Sequence, residues 1–374
     1  MFPFWIVAFC LIVFYYIWIG RFYYGWLKTP AFNTLPDINN KTASIIVPVR
    51  NEEDNIRTLL DDLAKQDYPQ KFIEIIIIDD HSSDLTPDIV KDRMKHNDNI
   101  RYVKLSDNEG GKKSALHMGV NLSRFPLIIT TDADCRPSSS WVKTMVDCFE
   151  TTGADLIAGP VLMKGDEGFF SKFQQLEFFS LLGTTAGALF VNDPVMCSSA
   201  NLGFKKEAYL EVRNPRFENP TSGDDVFLLL AMKNSGKKKL VFLKTNLGYI
   251  QTKVQSGINE FLQQRKRWAS KSRYYNTKAS VFTALLVFAI NFYTLIILFA
   301  GLINSEFLFI AACIFILKSM IDFPFLYSIT RYFREENLMK IFIASQFVYF
   351  FYISYTAISA FTGVFKWKGR IVKY

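Results

Sequence analysis

Asp132 and Asp134 stand two residues apart in "TTDADC", after the apolar run "FPLII" and before the polar "RPSSS". Side chains alternate along a strand, so Asp-X-Asp at a strand end points two carboxylates the same way. Mg²⁺ and Mn²⁺ take hard oxygen ligands, usually one or two carboxylates with substrate phosphates completing the shell. The pair therefore suits a metal bridged to a diphosphate, although two ordinary turn acids would read alike. A second cluster, "IIIIDDHSSDLT", sets Asp79, Asp80 and Asp84 beside Ser82 and Ser83. Carboxylates there can accept hydrogen bonds from ribose hydroxyls or a pyrimidine N–H, or Ser82, Ser83 or Asp84 can simply start a helix. In "VPVRNEEDNI", Pro48 and Glu52 lie where a base could be held above a sheet, or where acids complement a helix dipole. "NEGGKKSAL" has a glycine pair followed by Lys112 and Lys113. The Walker spacing fails there, yet a Lys at a helix start can still reach a diphosphate.

These residues need a frame. Residues 43 to 162 alternate strand and helix signals: "ASIIVPV", "FIEIIIIDD", "DNIRYVKL" and "PLIITTDAD" as strands, with helical stretches between. A helix is expected from the N-cap Asn51, with Ile56, Leu59, Leu60 and Leu63 at helical spacing. The near-continuous run in "FIEIIIIDD" fits a central parallel strand covered on both faces. The pattern is α/β and doubly wound, a design in which ligands collect at the carboxyl ends of strands. All the candidates in this half fall at such ends.

Half the 374 residues are hydrophobic and 36 are Phe. The excess is concentrated in residues 2–19 and in three blocks, 279–303, 307–329 and 341–365. A span needs roughly 20 apolar residues. The first, second and fourth blocks satisfy that, whereas Lys318, Asp322 and Pro324 suggest a broken, interfacial or re-entrant third. An uncleaved anchor is favoured at the N-terminus over a signal peptide, because "GRFYYGW" follows it rather than a cleavage site. Arg21 and Lys28 argue for the middle region in the cytoplasm. Arg331, Arg334 and Lys340 put the third connection inside as well. The tail "KWKGRIVKY" is also basic, so one block is expected not to cross fully. The formal charge of +8 suits an anionic membrane face and a phosphorylated substrate, with no basic stripe for nucleic acid. Five scattered Cys imply a reduced compartment without a disulfide framework. "GFFSKFQQLEFFSLL" is expected to be an amphipathic helix lying on the bilayer. Asp225 opens a helix, and Gln264, Arg267 and Trp268 fall together on another, either as a functional group or as a basic juxtamembrane face including Lys266 and Lys271.

In order, "VPVRNE", "DDHSSD", "GGKKSAL", "TDAD", "GDD" and "QRKRW" run from Ala43 to Trp268. Together they resemble the membrane-anchored branch of the inverting, GT-A-fold glycosyltransferases of family 2. The resemblance implies a Rossmann-like, mainly parallel GT-A domain over 41–256, flanked by an anchor at 1–27. An interfacial helix at 257–278 with the Gln-X-X-Arg-Trp motif, a transmembrane region at 279–366 and a basic tail at 367–374 would follow, with two to three C-terminal spans. Pro48, Glu52 and Asp79 would surround the base and ribose, with Lys113 nearby. Asp132 would approach the nucleotide and join Asp134 in binding Mg²⁺ or Mn²⁺. Asp225 takes the general-base position, and Gln264, Arg267 and Trp268 would close over diphosphate and acceptor. "SSANLGF" would approach the acceptor. The acid pair is usually Glu-Asp, so Asp224 departs from the pattern and its role is less defined.

The implied reaction moves a sugar from a nucleotide-sugar donor, a UDP-sugar by preference, to a lipid-linked or glycolipid acceptor at the inner or plasma membrane. The product would be β-linked. A processive polysaccharide synthase is the alternative within the family. A non-catalytic scaffold with the same fold, or a nucleotidyltransferase, would belong to other classes.

Overall fold

A computed structural model describes residues 2–33, 40–212, 224–270, 277–360, 364–367 and 370–373. In chain order the elements begin with α1 (Phe2–Lys28), β1 (Ala43–Val49), α2 (Ile56–Ala64), β2 (Ile73–Asp79), α3 (Thr86–Met94) and β3 (Ile100–Lys104). Then come α4 (Lys112–Leu122), β4 (Leu127–Thr130), β5 (Arg136–Pro137), α5 (Trp141–Thr152), β6 (Leu156–Ala158), β7 (Val161–Lys164) and α6 (Phe169–Phe190). β8 (Leu202–Lys205), α7 (Lys206–Val212), α8 (Asp224–Asn234), β9 (Leu240–Phe242) and β10 (Ile250–Lys253) follow. The chain continues through α9 (Ile258–Ser270), α10 (Lys278–Ala300), α11 (Glu306–Tyr332) and α12 (Phe342–Ala360) to β11 (Val364–Trp367) and β12 (Arg370–Lys373). Two compact units result, one of residues 29–164 and 196–253, the other of 1–28, 165–195 and 254–374.

The first unit is α/β. Its main sheet has seven strands in the order β3-β2-β1-β4-β8-β6-β9, and only β8 runs antiparallel to its neighbours. β2, "IEIIIID", is buried at every position, as its unbroken isoleucines require of a strand covered on both faces. Pro48 is tolerated in central β1 because the pairing of β4 with β1 ends at Thr130 opposite Ile46, two residues earlier. The expected helix after β1 begins at Ile56, not near Asn51. Asn51 has φ 50°, outside the helical region, and its Oδ1 accepts the Ser83 N–H at 2.9 Å. Loop pairing thus replaces helix capping there, while Ile56, Leu59, Leu60 and Leu63 are buried as the periodicity requires. A second small sheet joins β5, β10 and β7.

The other unit is helical. Four of its helical segments, Phe2–Lys28, Lys278–Ala300, Glu306–Tyr332 and Glu336–Ala360, are long and apolar enough to cross a membrane. The third apolar block is therefore not broken: α11 runs continuously through Pro324. Its charges are matched internally, with Lys318 Nζ donating to Asp322 Oδ2 at 2.6 Å and to Gln346 Oε1 at 2.7 Å. Tyr15 donates to Asp322 Oδ1 at 2.8 Å. Paired charges remove the need to leave the helix. The "GFFSKFQQLEFFSLL" segment also differs from expectation. Within this unit α6 has buried residues on all its sides rather than one open apolar face. It meets α1 backbone to backbone, where a Cβ on Gly187 would come within 2.0 Å of Phe22 O and one on Gly25 within 2.3 Å of Gly187 O. Residues 165–195, expected inside the 41–256 domain, pack here. Lys271 and part of the tail expected at 367–374 lie outside the described residues.

Candidate active site at the strand ends

Four loops of the α/β unit leave the carboxyl ends of β1, β2 and β4 and the start of β8, carrying most of the candidate residues. The loops after β1 and β2 are laced together. Ser82 Oγ accepts the Asn51 N–H at 3.0 Å, Thr86 Oγ1 accepts the Glu52 N–H at 2.8 Å, and Asp84 Oδ2 accepts the Glu53 N–H at 3.0 Å. Glu53 returns a bond, its Oε2 accepting Leu85 N–H at 2.9 Å. Leu85 stands at the N-cap position of α3, and Asp84 Oδ1 accepts the N–H of Thr86, the helix's first residue, at 3.1 Å. Asp79 lies fully buried at the base of this lattice. Its oxygens accept from Ser82 Oγ at 2.5 Å and from the Tyr102 hydroxyl at 2.9 Å. Burial and the Asp79 carboxylate together hold the Tyr102 hydroxyl far above its ordinary pKa, so it stays a donor. Pro48 is half-buried on β1 just before these loops.

The β4 loop brings the metal candidates together. Asp132 is half-buried and Asp134 is open to solvent on one side. The Asp134 pKa is pushed up, first by protein that strips hydration from its other sides, then by the negative charges of Asp132 and Glu52. Asp134 makes no ion pair among the described residues; its hydrogen bond is a 3.6 Å contact from Cys135 Sγ. Asp132 does have a cation, Lys112. The Lys expected near the nucleotide is Lys113, and Lys112, named beside it in the sequence, pairs with Asp132. Gly111, at φ 89°, makes the sharp entry into α4 that sets Lys112 at its first position.

Lys112 also donates to Ser199 Oγ at 2.8 Å. Ser199 is held from below, since its carbonyl accepts from Thr130 Oγ1 at 2.7 Å. Its backbone N–H donates to Asp225 Oδ2 at 3.0 Å, while Asp225 Oδ1 accepts the Val226 N–H at 2.9 Å. Asp132, Lys112, Ser199 and Asp225 thus form one hydrogen-bonded chain. Within "SSANLGF", Asn201 is wholly internal, bonding Pro160 O, Gly248 O and Trp141 Nε1, so Ser199 is the residue of that stretch that meets the chain. The sequence named Lys112 beside Lys113 and set Ser199 in the acceptor-facing stretch, but did not join them to Asp132 and Asp225; the glycine pair before Lys112 was the available signal.

The donor set fits a divalent cation. Among the described residues no three His, Cys, Asp or Glu side chains group into a complete metal cage. Asp134 nonetheless feels the negative charges of Asp132 and Glu52 while Lys112 pairs with Asp132, and two acids that borrow phosphate oxygens are the usual holders of Mg²⁺ or Mn²⁺. Chemically, the arrangement can neutralise a diphosphate and keep a separate carboxylate, Asp225, oriented.

Gln264, Arg267 and Trp268 belong to the helical unit, on α9. Within the motif stretch the buried side chain is Arg265, between motif positions, which pairs with Glu177 at 2.5 Å.

A mainly parallel sheet with acids and a lysine at its strand ends defines a GT-A-like α/β domain. Residues 44–213, just under half of the chain, match the family model for glycosyl transferase family 2. The match ends before Asp225 and α9. Among curated proteins the chain is similar to the poly-beta-1,6-N-acetyl-D-glucosamine synthase of Staphylococcus epidermidis, 28% identical over 173 residues, covering 44% of this chain and 40% of that protein. It is also similar to the beta-monoglucosyldiacylglycerol synthase of Trichormus variabilis, 34% identical over 137 residues, covering 36% and 29%. The chain thus spans well under half the length of these relatives. The mannosyltransferase of Pyrobaculum calidifontis, solved with GDP-Man and Mn²⁺, shares the fold with a TM-score of 0.59. That likeness covers 94% of this chain and 98% of the other at 16% identity.

Proposed function

We propose that this protein is a membrane-embedded inverting glycosyltransferase. It moves a sugar from a nucleotide-sugar donor, a UDP-sugar by preference, to a lipid-linked or glycolipid acceptor on the cytoplasmic side of the inner or plasma membrane. The observation that carries this reading is the chain Asp132–Lys112–Ser199–Asp225, which joins a diphosphate-type site to an isolated carboxylate.

Asp225 takes the proton from an acceptor hydroxyl as that oxygen attacks the anomeric carbon. The bond from that carbon to the diphosphate oxygen breaks on the opposite face, and its electron pair leaves with the nucleoside diphosphate. A single displacement inverts configuration, so an α-linked donor yields a β-linked product. Lys112 lends positive charge to the leaving diphosphate, and the Ser199 N–H keeps Asp225 aimed. Asp134, with Asp132, would hold Mg²⁺ or Mn²⁺, which when bound supplies further positive charge against the diphosphate. Pro48, Glu52, Asp79 and Lys113 are assigned to the nucleotide side. Gln264, Arg267 and Trp268 are assigned to diphosphate and acceptor by motif.

A lipid acceptor is supported by the similarity to a glycolipid synthase and by four helices fit to span a membrane. The similarity to a polysaccharide synthase favours a second reading, processive transfer.

The test is uridine diphosphate release by protein purified in detergent with lipid, across UDP-sugars, with Mn²⁺, Mg²⁺ or EDTA. Metal-dependent release with one sugar is expected, falling about 10²–10⁴-fold in Asp225→Asn. Extraction of labelled product separates lipid from polymer. If calorimetry detects no nucleotide-sugar binding with metal present, the reading is wrong and a non-catalytic scaffold takes its place.

A further inference from the structure

Arg265 is the least expected residue of α9. It lies between Gln264 and Arg267 in sequence yet is only 2% exposed, and its partner Glu177 on α6 is 3% exposed. The guanidinium Nη2 donates to Glu177 Oε2 at 2.5 Å and Nε to Oε1 at 3.2 Å, a two-point fork. Tyr352 on α12 adds its hydroxyl to Glu177 Oε1 at 3.1 Å. The remaining edge, Nη1, donates to Gln264 Oε1. The guanidinium carbon lies 4.5 Å from the Phe261 ring centroid and 4.3 Å from that of Trp268.

Every surface of the guanidinium is therefore used, and two of its contacts are the first and last residues of the Gln-X-X-Arg-Trp motif. Phe261 in turn packs on Phe170 and Phe173, an aromatic cluster on which an apolar side chain would also pack. A buried ion pair adds little net stability over apolar packing, so holding the helices together does not by itself account for it. A planar fork with stacked rings does fix the geometry of what it touches.

We infer that Arg265, anchored by Glu177, is a positioning residue for Gln264 and Trp268. It turns the Gln264 amide so that its oxygen faces inward and its N–H₂ end is left as donor, and it sets the plane of the Trp268 indole. The inference rests on the proposed transferase reading for its consequence, and on the helical unit alone for its geometry.

Two variants test it. Arg265→Lys keeps a charge for Glu177 but loses the fork and the flat face. The double change Glu177→Gln with Arg265→Gln removes both charges and leaves none buried alone. Melting temperature controls for folding. Order at Trp268 is read as acrylamide quenching of its fluorescence, taken as the difference between each protein and its Trp268→Phe counterpart. Both variants are expected to melt within about 4 °C of the parent. Trp268 quenching is expected to rise, and sugar-transfer turnover to fall at least about tenfold. Parent-like quenching in Arg265→Lys would reduce Arg265 to a charge anchor and overturn the inference. So would parent-like turnover in the double variant. If the parent transfers no sugar from any donor, the functional reading fails separately, and the quenching arm still decides on Arg265.

Discussion

In the helical unit, Lys318 and Asp322 share α11 with Gln346 and Tyr15 completing their hydrogen bonds, and Arg265 is matched to Glu177. At the strand ends of the α/β unit, Asp134 feels the negative charges of Asp132 and Glu52, and Lys112 pairs with Asp132. The contrast recurs within one strand. At the start of β2, Glu74 is fully buried, with Ser44 Oγ at 2.5 Å and Arg124 Nε at 2.9 Å. Asp79, at the other end, opens the lattice of loops around the site. Charges in the helices and at the strand starts are balanced by the chain itself. Those in the β4 loop carry excess negative charge, the condition a cationic ligand would relieve.

Three sets of substitutions can break that contrast. The largest effect belongs to Asp134→Asn, which is expected to lower transfer about 10³-fold and abolish its sensitivity to EDTA. Its melting temperature should stay level or rise, because a repelled carboxylate is gone; a drop would make Asp134 a structural acid like Glu74. Next comes Lys318→Met, expected to cost about 3 kcal/mol by stranding Asp322. Adding Asp322→Leu should recover most of that, to within about 1 kcal/mol of the parent, in detergent unfolding experiments. Failure of the pair to recover would show that the charges do more than balance each other.

The smallest effect concerns pH. Burial alone would raise the Glu74 pKa, but hydrogen bonds from Ser44 and Arg124 and the charge of Arg124 lower it on balance. A depressed folded pKa means its stabilisation is complete above the ordinary carboxylate value of about 4.3. It is lost as pH falls through the lower folded value. Glu74→Gln should cost about 2 kcal/mol at neutral pH. The variant should also show a shallower loss of melting temperature as pH falls below about 4.3. An equally steep acid limb would assign acid sensitivity elsewhere.

Much of the site could be read from local pattern. Strand-end acids announce themselves because an apolar run stops at a carboxylate, as at Asp79 and Asp132, and the fourfold strand alternation implied the parallel sheet. Local pattern failed where a distant partner decided the outcome. Asn51 looked like a helix cap, but Ser82 and Ser83 of the neighbouring loop draw it into a left-handed conformation. Lys112 and Lys113 are indistinguishable by composition, and only the turn at Gly111 and the place of Asp132 separate them. Lys318 and Asp322 looked like reasons to interrupt a helix. The i,i+4 spacing allowed their pairing, but Tyr15 and Gln346 come from other helices.

By itself, then, the sequence determined the alternating α/β unit, the apolar segments and the carboxylates at the strand ends, because periodicity and chain order are local properties. Only the tertiary structure decided which cation each carboxylate meets: Lys112 for Asp132, Arg265 for Glu177, none among the described residues for Asp134. Electrostatic partnership depends on separations of a few ångströms between residues far apart in the chain, and those separations exist only after folding.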